Sequence, residues 1–184
     1  LYISGYVNSG TVTIAAGTVT VMNDGTGITA DRLVINTTGS ATRDGSVVVK
    51  EGATLSVPKN TVMYAQTNSG EAENIFSVAG TLDVAGTANI SGIADIAGTA
   101  NIAEGATISV GANNGSTGML TITGSVIAVD TDDGNGTFAI AGGASAAIEG
   151  TVSGPVTIDA SSYMIAYPGA SLDAAKIEWN ALDE

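Results

Sequence analysis

The chain contains no histidine and no cysteine, so any chemistry it performs rests on carboxylates, amides, hydroxyls and a handful of basic groups. The densest set of potential ligands is Asp130, Asp132, Asp133 and Asn135, within D-T-D-D-G-N-G. Several oxygens gathered in a glycine-rich turn suit calcium, which takes about six to eight oxygen ligands. The spacing departs from a helix–loop–helix calcium site, because the fifth position counted from Asp130 is Gly134 and the twelfth is Ala141. Two readings stand side by side, a weak calcium site and a solvated hairpin turn. Calcium is the one ion the sequence suggests, and no other cofactor is expected.

A second constellation is periodic. Asp83 and Asp95 alternate with Asn89 and Asn101 at six-residue intervals. A coil of about twelve residues would stack the two aspartates ~4.8 Å apart, a repulsive ladder that needs a cation. A coil of about eighteen would set Asp83 against Asn101, which is electrostatically easier. The asparagines of four N-x-Ser/Thr sequons, Asn36, Asn89, Asn114 and Asn135, are glycosylation candidates. In an exported protein of a glycosylating cell, Asn114 and Asn135 are the better acceptors because they sit in glycine-rich turns.

Charge removes several function classes. The net charge is −13 and the basic residues are Arg32, Arg43, Lys50, Lys59 and Lys176, with no cluster among them. Binding nucleic acid requires grouped Lys and Arg to displace counterions, so no nucleic-acid partner is expected. Electrostatic adhesion to anionic lipid fails for the same reason. No apolar run is long enough to span a bilayer, so no membrane insertion is expected. Cleavage of polysaccharides needs clustered acids and bases backed by positive groups, and their absence predicts a chain that is not an enzyme.

The elements that carry these residues are set by a short repeat. From Val78 to Val110, Gly80, Gly86, Gly92 and Gly98 recur every sixth residue, and Val84, Ile90, Ile96 and Ile102 follow in phase. Within G-T-A-N-I-A, alternation turns Ala88 and Ile90 to one side and Thr87 and Asn89 to the other. One hexad cannot bury its own aliphatic side chain, so the units must stack. Only 4% of residues are aromatic, which rules out a round core built on large side chains. At 44%, the hydrophobic fraction is too high for a disordered chain.

Outside the block, strands are predicted at Gly45–Lys50, Gly52–Val57, Asn60–Ala65, Met119–Thr123, Ser125–Val129, Thr137–Ala141, Ala146–Val152, Val156–Asp159 and Tyr163–Tyr167. A short strand at Leu33–Ile35 and a polar loop over Gln66–Glu73 are also predicted. Glu104, inserted before Gly105, lengthens the next interval by one residue and ends the strict phase. The C-terminal stretch around Lys176–Trp179 reads either as a strand or as a short capping helix. The fold expected is all-β, a single β-solenoid or β-arch stack over residues 1–184 with its hexad block at 78–110, Gly-rich turns and little or no helix.

Rewritten from Val84, the hexads are V-A-G-T-A-N, I-S-G-I-A-D, I-A-G-T-A-N and I-A-E-G-A-T, each with an aliphatic first and an alanine fifth. This resembles the hexapeptide pattern of left-handed β-helices. Members of that group that are acyltransferases use a histidine, which this chain lacks, so the activity does not carry over. The G-T-x-x-[IV] and G-A-T-[IL]-S-V phrases resemble secreted adhesin solenoids, bactofilin-type polymers and archaeal sheath or surface-layer proteins. The pairs Thr11/Thr13, Thr18/Thr20 and Thr121/Thr123 are similar to those on ice-binding solenoids but form no regular rank.

The chain starts at Leu1, which favours a mature exported protein or an excised domain, and an extracellular or cell-surface location is expected. Leu1–Asn23 carries no charge, no lysine and no proline, whereas exposed strand edges are normally guarded by such residues. Leu1, Tyr2, Ile3, Tyr6 and Val7 are therefore the candidate assembly edge. The function expected is a structural subunit whose partner is itself, polymerising by strand-edge pairing into a filament, sheath or surface layer. The alternative is a monomeric adhesin stalk or passenger domain that binds a glycan or host surface.

Overall fold

The computed structural model describes residues 2–3, 11–14, 17–21, 46–60, 62–66, 75–111, 118–131, 134–141, 143–173 and 177–179. Within these residues the chain is all-β and contains no helix. Short strands form three parallel sheets of eight, seven and six strands, and one antiparallel pair stands apart. We call these sheets the first, second and third faces, in order of size.

The chain visits the faces in a fixed rotation. Ile75–Val78 lies on the second face, Thr81–Val84 on the first and Thr87–Ser91 on the third, and Ile93–Ile96 then returns to the second. Ile93 stands opposite Ile75 and Thr99 opposite Thr81, a separation of 18 residues. Three hexads therefore close one three-sided coil. The same separation returns between Ser145 and Tyr163 and between Phe138 and Val156, well outside the hexad block.

Where a coil is longer, the extra residues are inserted between strands without disturbing the register. Between Ala103 and Ala106 the chain makes a hydrogen-bonded turn, Ala106 N–H donating to the Ala103 carbonyl at 3.0 Å, with Gly105 at φ +68°. That corner is two residues longer than a hexad corner, one more than the glycine spacing predicts, because Ala106 is itself buried before the strand Thr107–Gly111 begins. The same x-x-Gly-Ala turn closes Lys50–Ala53, Ala141–Ala144 and Tyr167–Ala170. It explains the two G-A-T-[IL]-S-V phrases, each of which is this turn followed by a strand.

Glycine serves a different purpose at the corner between the second and first faces. There Gly80, Gly98, Gly124 and Gly150 stack coil upon coil, and a Cβ on Gly98 would fall against the carbonyl oxygen of Gly80. Gly124 and Gly150 repeat the contact on Gly98 and Gly124. That closeness lets each glycine carbonyl accept the N–H of the hydroxyl residue opening the strand one coil on: Thr99 on Gly80, Ser125 on Gly98 and Thr151 on Gly124, at 2.8–2.9 Å. The recurring G-T dipeptide is thus a corner whose backbone is bonded to the coil before it.

The core is a shaft lined by two inward columns per face. On the second face Phe76, Ala94, Leu120 and Ala146 stack in register, and on the third Ala88, Ile108, Phe138 and Val156. Large and small residues exchange faces from coil to coil. Phe76 shares its coil with Ala88, while the next coil around has Ala94 and Ala100 opposite Ile108, and all are at most 1% exposed. Near-constant cross-section is what close packing demands of a stack of thin layers.

The structure corrects the strand reading in one place and decides an open alternative in another. The predicted strand Ala146–Val152 is two strands, Ser145–Ile148 on the second face and Thr151–Ser153 on the first, because Gly150 belongs to the glycine corner column. The C-terminal stretch is a strand at Ile177–Trp179, paired with Val156–Ile158. Leu33–Ile35 lies outside the described residues, as does the predicted loop beyond Gln66.

Candidate functional site

The eighteen-residue coil decides the carboxylate ladder. Asp83 faces outward on the first face, and the column it belongs to runs Ser56, Asp83, Asn101, Ile127 and Ser153 in unbroken register. The Asn101 side-chain N–H donates to the Asp83 carboxylate at 2.7 Å. Asp95 lies on another face, in register with Ser77 and Thr121, so the two aspartates never meet. The easier electrostatic arrangement is the one adopted, with a charge-assisted bond in place of a repulsive pair.

Ser56, Asp83, Asn101 and Ile127 of this column form one side of a concave groove of about 320 Å³ on the outer surface of the solenoid. Its other side is the corner column Ala85, Ala103 and Val129. Two alanines make the hollow, and the larger Val129 ends it. Just beyond Val129 the chain leaves the coil as a hairpin, in which Asp130–Thr131 pairs antiparallel with Gly134–Asn135. The hairpin returns at Gly136, whose N–H donates to the Val129 carbonyl at 2.7 Å. It lies against the preceding coil: Gly105 N–H donates to the Asn135 carbonyl at 3.1 Å, and a Cβ on Gly134 would stand 2.9 Å from Cγ of Glu104.

Of the calcium candidates, Asp130 and Asn135 therefore sit on exposed strands of the hairpin. Asp130 and Asn135 are opposite one another, and Asn135 Oδ1 accepts the Thr131 N–H at 3.2 Å. Thr131 Oγ1 donates to the Gly134 carbonyl at 2.7 Å. Asp132 and Asp133 lie outside the described residues. Among the described residues no three acidic groups gather as a metal site would require.

The other candidate residues are dispersed. Asn135 is exposed on the hairpin, whereas Asn89 is half-buried in mid-strand on the third face, between Tyr64 and Ser109. Asn36 and Asn114 lie outside the described residues. Tyr2–Ile3 forms the terminal strand of the first face, parallel to Gly17–Val21. Leu1, Tyr6 and Val7 lie outside the described residues.

Two surface features escaped the sequence reading. The T-x-T pairs do not share one face, since Thr11/Thr13 and Thr121 lie on the second and Thr18/Thr20 on the first, yet Thr18 heads a column of hydroxyl residues through Thr54, Thr81, Thr99, Ser125, Thr151 and Ser171. Its signal was the residue after each corner glycine or, at Thr54 and Ser171, after the corner Gly-Ala, legible only once the coil length is known. At the other end of the stack the second face turns apolar outward, with Tyr163, Ile165 and Tyr167 all about half exposed.

No family model, curated protein or solved structure matches the chain.

Proposed function

We propose that this chain is a structural subunit that joins copies of itself by strand-edge pairing into an extracellular filament, sheath or surface layer. The observation that carries this reading is the continuity of the parallel ladder. Each of the three faces is one sheet running through the described stack. In the described residues the faces end at Tyr2–Ile3, Thr11–Ile14 and Val62–Gln66 on one side and at Ser171–Leu172, Tyr163–Ala166 and Ile177–Trp179 on the other.

A terminal strand carries a row of N–H and C=O groups that pair as readily with a neighbouring molecule as with another coil. Because every strand in the three faces runs parallel to its neighbours, the two ends are complementary rather than alike. Pairing them is head-to-tail and does not close, which is the geometry of a filament. The uncharged segment at residues 1–23 favours such contact, and the exposed Tyr163 and Ile165 supply apolar area at the opposite end.

Deleting residues 1–10 tests the proposal. Sedimentation and negative-stain imaging of the intact chain are expected to show polymers that the deletion abolishes while the far-ultraviolet strand signal survives. Assembly unchanged by the deletion removes this edge from the proposal.

A further inference from the structure

We propose that the groove beside Asp83 binds a pyranose ring, held by two adjacent hydroxyl groups and stacked by its C–H face on Ile127. The first observation is an apolar residue where the column calls for a polar one. Ser56, Asp83, Asn101 and Ser153 are hydrophilic, whereas Ile127, between Asn101 and Ser153, is 43% exposed, and its neighbour Val129 is 37% exposed. Both turn their side chains away from the core, so burial within the fold does not account for them. Both line the same concave surface as the Asp83–Asn101 pair.

The polar half of the groove narrows the ligand class. With the Asn101 amide bonded to one carboxylate oxygen, the other oxygen of Asp83 and the Asn101 carbonyl oxygen have no partner among the described residues. They are two acceptors on side chains tied together at 2.7 Å, so a ligand meeting both must offer two neighbouring donors. The Ser56 hydroxyl, one rung away, both donates and accepts.

Other ligand classes fit less well. An anion would face Asp83 on a chain of net charge −13. A wholly apolar ligand would strip water from a carboxylate without replacing its hydrogen bonds. A metal ion would find a single carboxylate, where hard cations collect several. A vicinal diol on a ring with an apolar face satisfies the two acceptors and covers Ile127. The volume of about 320 Å³ is of the size of a small-ligand cleft and suits one sugar unit with the groove open to solvent for its neighbours.

This inference is independent of the assembly proposal, since the groove lies on the side of the stack and not at its ends. It is tested by saturation-transfer nuclear magnetic resonance on the intact chain with millimolar methyl glucoside, methyl mannoside and N-acetylglucosamine, and with butylamine as a cationic probe. Two variants accompany it, Asp83→Ser and Ile127→Ser, each placing in the column the residue already found at Ser56 and Ser153, so that the strand retains its pattern. Thermal melts confirm that both variants fold.

Saturation transfer from the intact chain to at least one sugar, with binding about tenfold weaker in both variants, is the expected result. Transfer that persists in either variant overturns the proposal. So does its absence for every sugar, or binding of butylamine alone.

Discussion

Replacing Gly98 by alanine tests the physical basis of the stack at one atom. Gly98 does not adopt a left-handed backbone, so the substitution asks only whether there is room. There is none: the new Cβ would press on the carbonyl oxygen of Gly80 and stand 2.7 Å from the carbonyl carbon of Ala79. The obstacle is backbone, which cannot rotate aside as a side chain can. Relief requires the coils to part at this corner, straining the bonds from Gly98 N–H to the Val78 carbonyl at 2.8 Å and from Thr99 N–H to the Gly80 carbonyl at 2.9 Å. Two such bonds are worth about 0.5–1.5 kcal/mol each, and overpacking adds about 1–3 kcal/mol. The sum is about 2–6 kcal/mol, or a fall in melting temperature on the order of 10 °C for a chain of this size. Gly105→Ala is the control. Gly105 has φ +68° and nothing within 4 Å of its Cβ direction, so it meets only the left-handed backbone penalty of about 1–2 kcal/mol. Melting followed by circular dichroism is expected to rank Gly98→Ala clearly below Gly105→Ala. Equal melting temperatures, or the reverse order, would refute the coil-to-coil contact at this corner.

Phe138→Ala, in the column between Ile108 and Val156, is expected to cost about 3–5 kcal/mol in a chemical unfolding titration, because thin layers on either side cannot collapse into the space. Asn101→Asp removes the bond to Asp83 and opposes two carboxylates in register, for a loss of about 1–2 kcal/mol near neutral pH. The repulsive part of that loss is screened by salt, so melts at rising ionic strength should show the deficit shrink. Added calcium is expected to leave the melting temperature unchanged, since the hairpin holds its own turn by bonds from Thr131 to Asn135 and Gly134. A calcium-dependent rise would assign an ion to Asp130, Asp132, Asp133 and Asn135.

Much of the architecture was legible because the interior repeats at fixed phase. The in-phase Val84, Ile90, Ile96 and Ile102 announced a stack, and alternation separated Ala88 and Ile90 from Thr87 and Asn89. Coil length was not legible. Twelve and eighteen residues share the same hexad, and only the pairing of Asp83 with Asn101 rather than Asp95 distinguishes them. The second 18-residue coil, beginning at Ser145, was hidden because its corners fall at unequal intervals, with Gly154 at φ +86° carrying one of them. The groove was not visible either. It depends on residues 56, 83, 101 and 127 sharing one column, although their separations in sequence are unequal and two of the three exceed the 18-residue coil. Register, not local pattern, brings them together.

The most direct measurement is imaging of the purified chain by electron microscopy at physiological ionic strength, with the power spectrum of any assembly computed along its axis. Head-to-tail stacking is expected to give unbranched filaments with a layer line at about 4.8 Å that runs uninterrupted across subunit boundaries. Solitary particles at every concentration, or filaments in which the strand spacing breaks at each junction, would contradict edge pairing as the means of assembly.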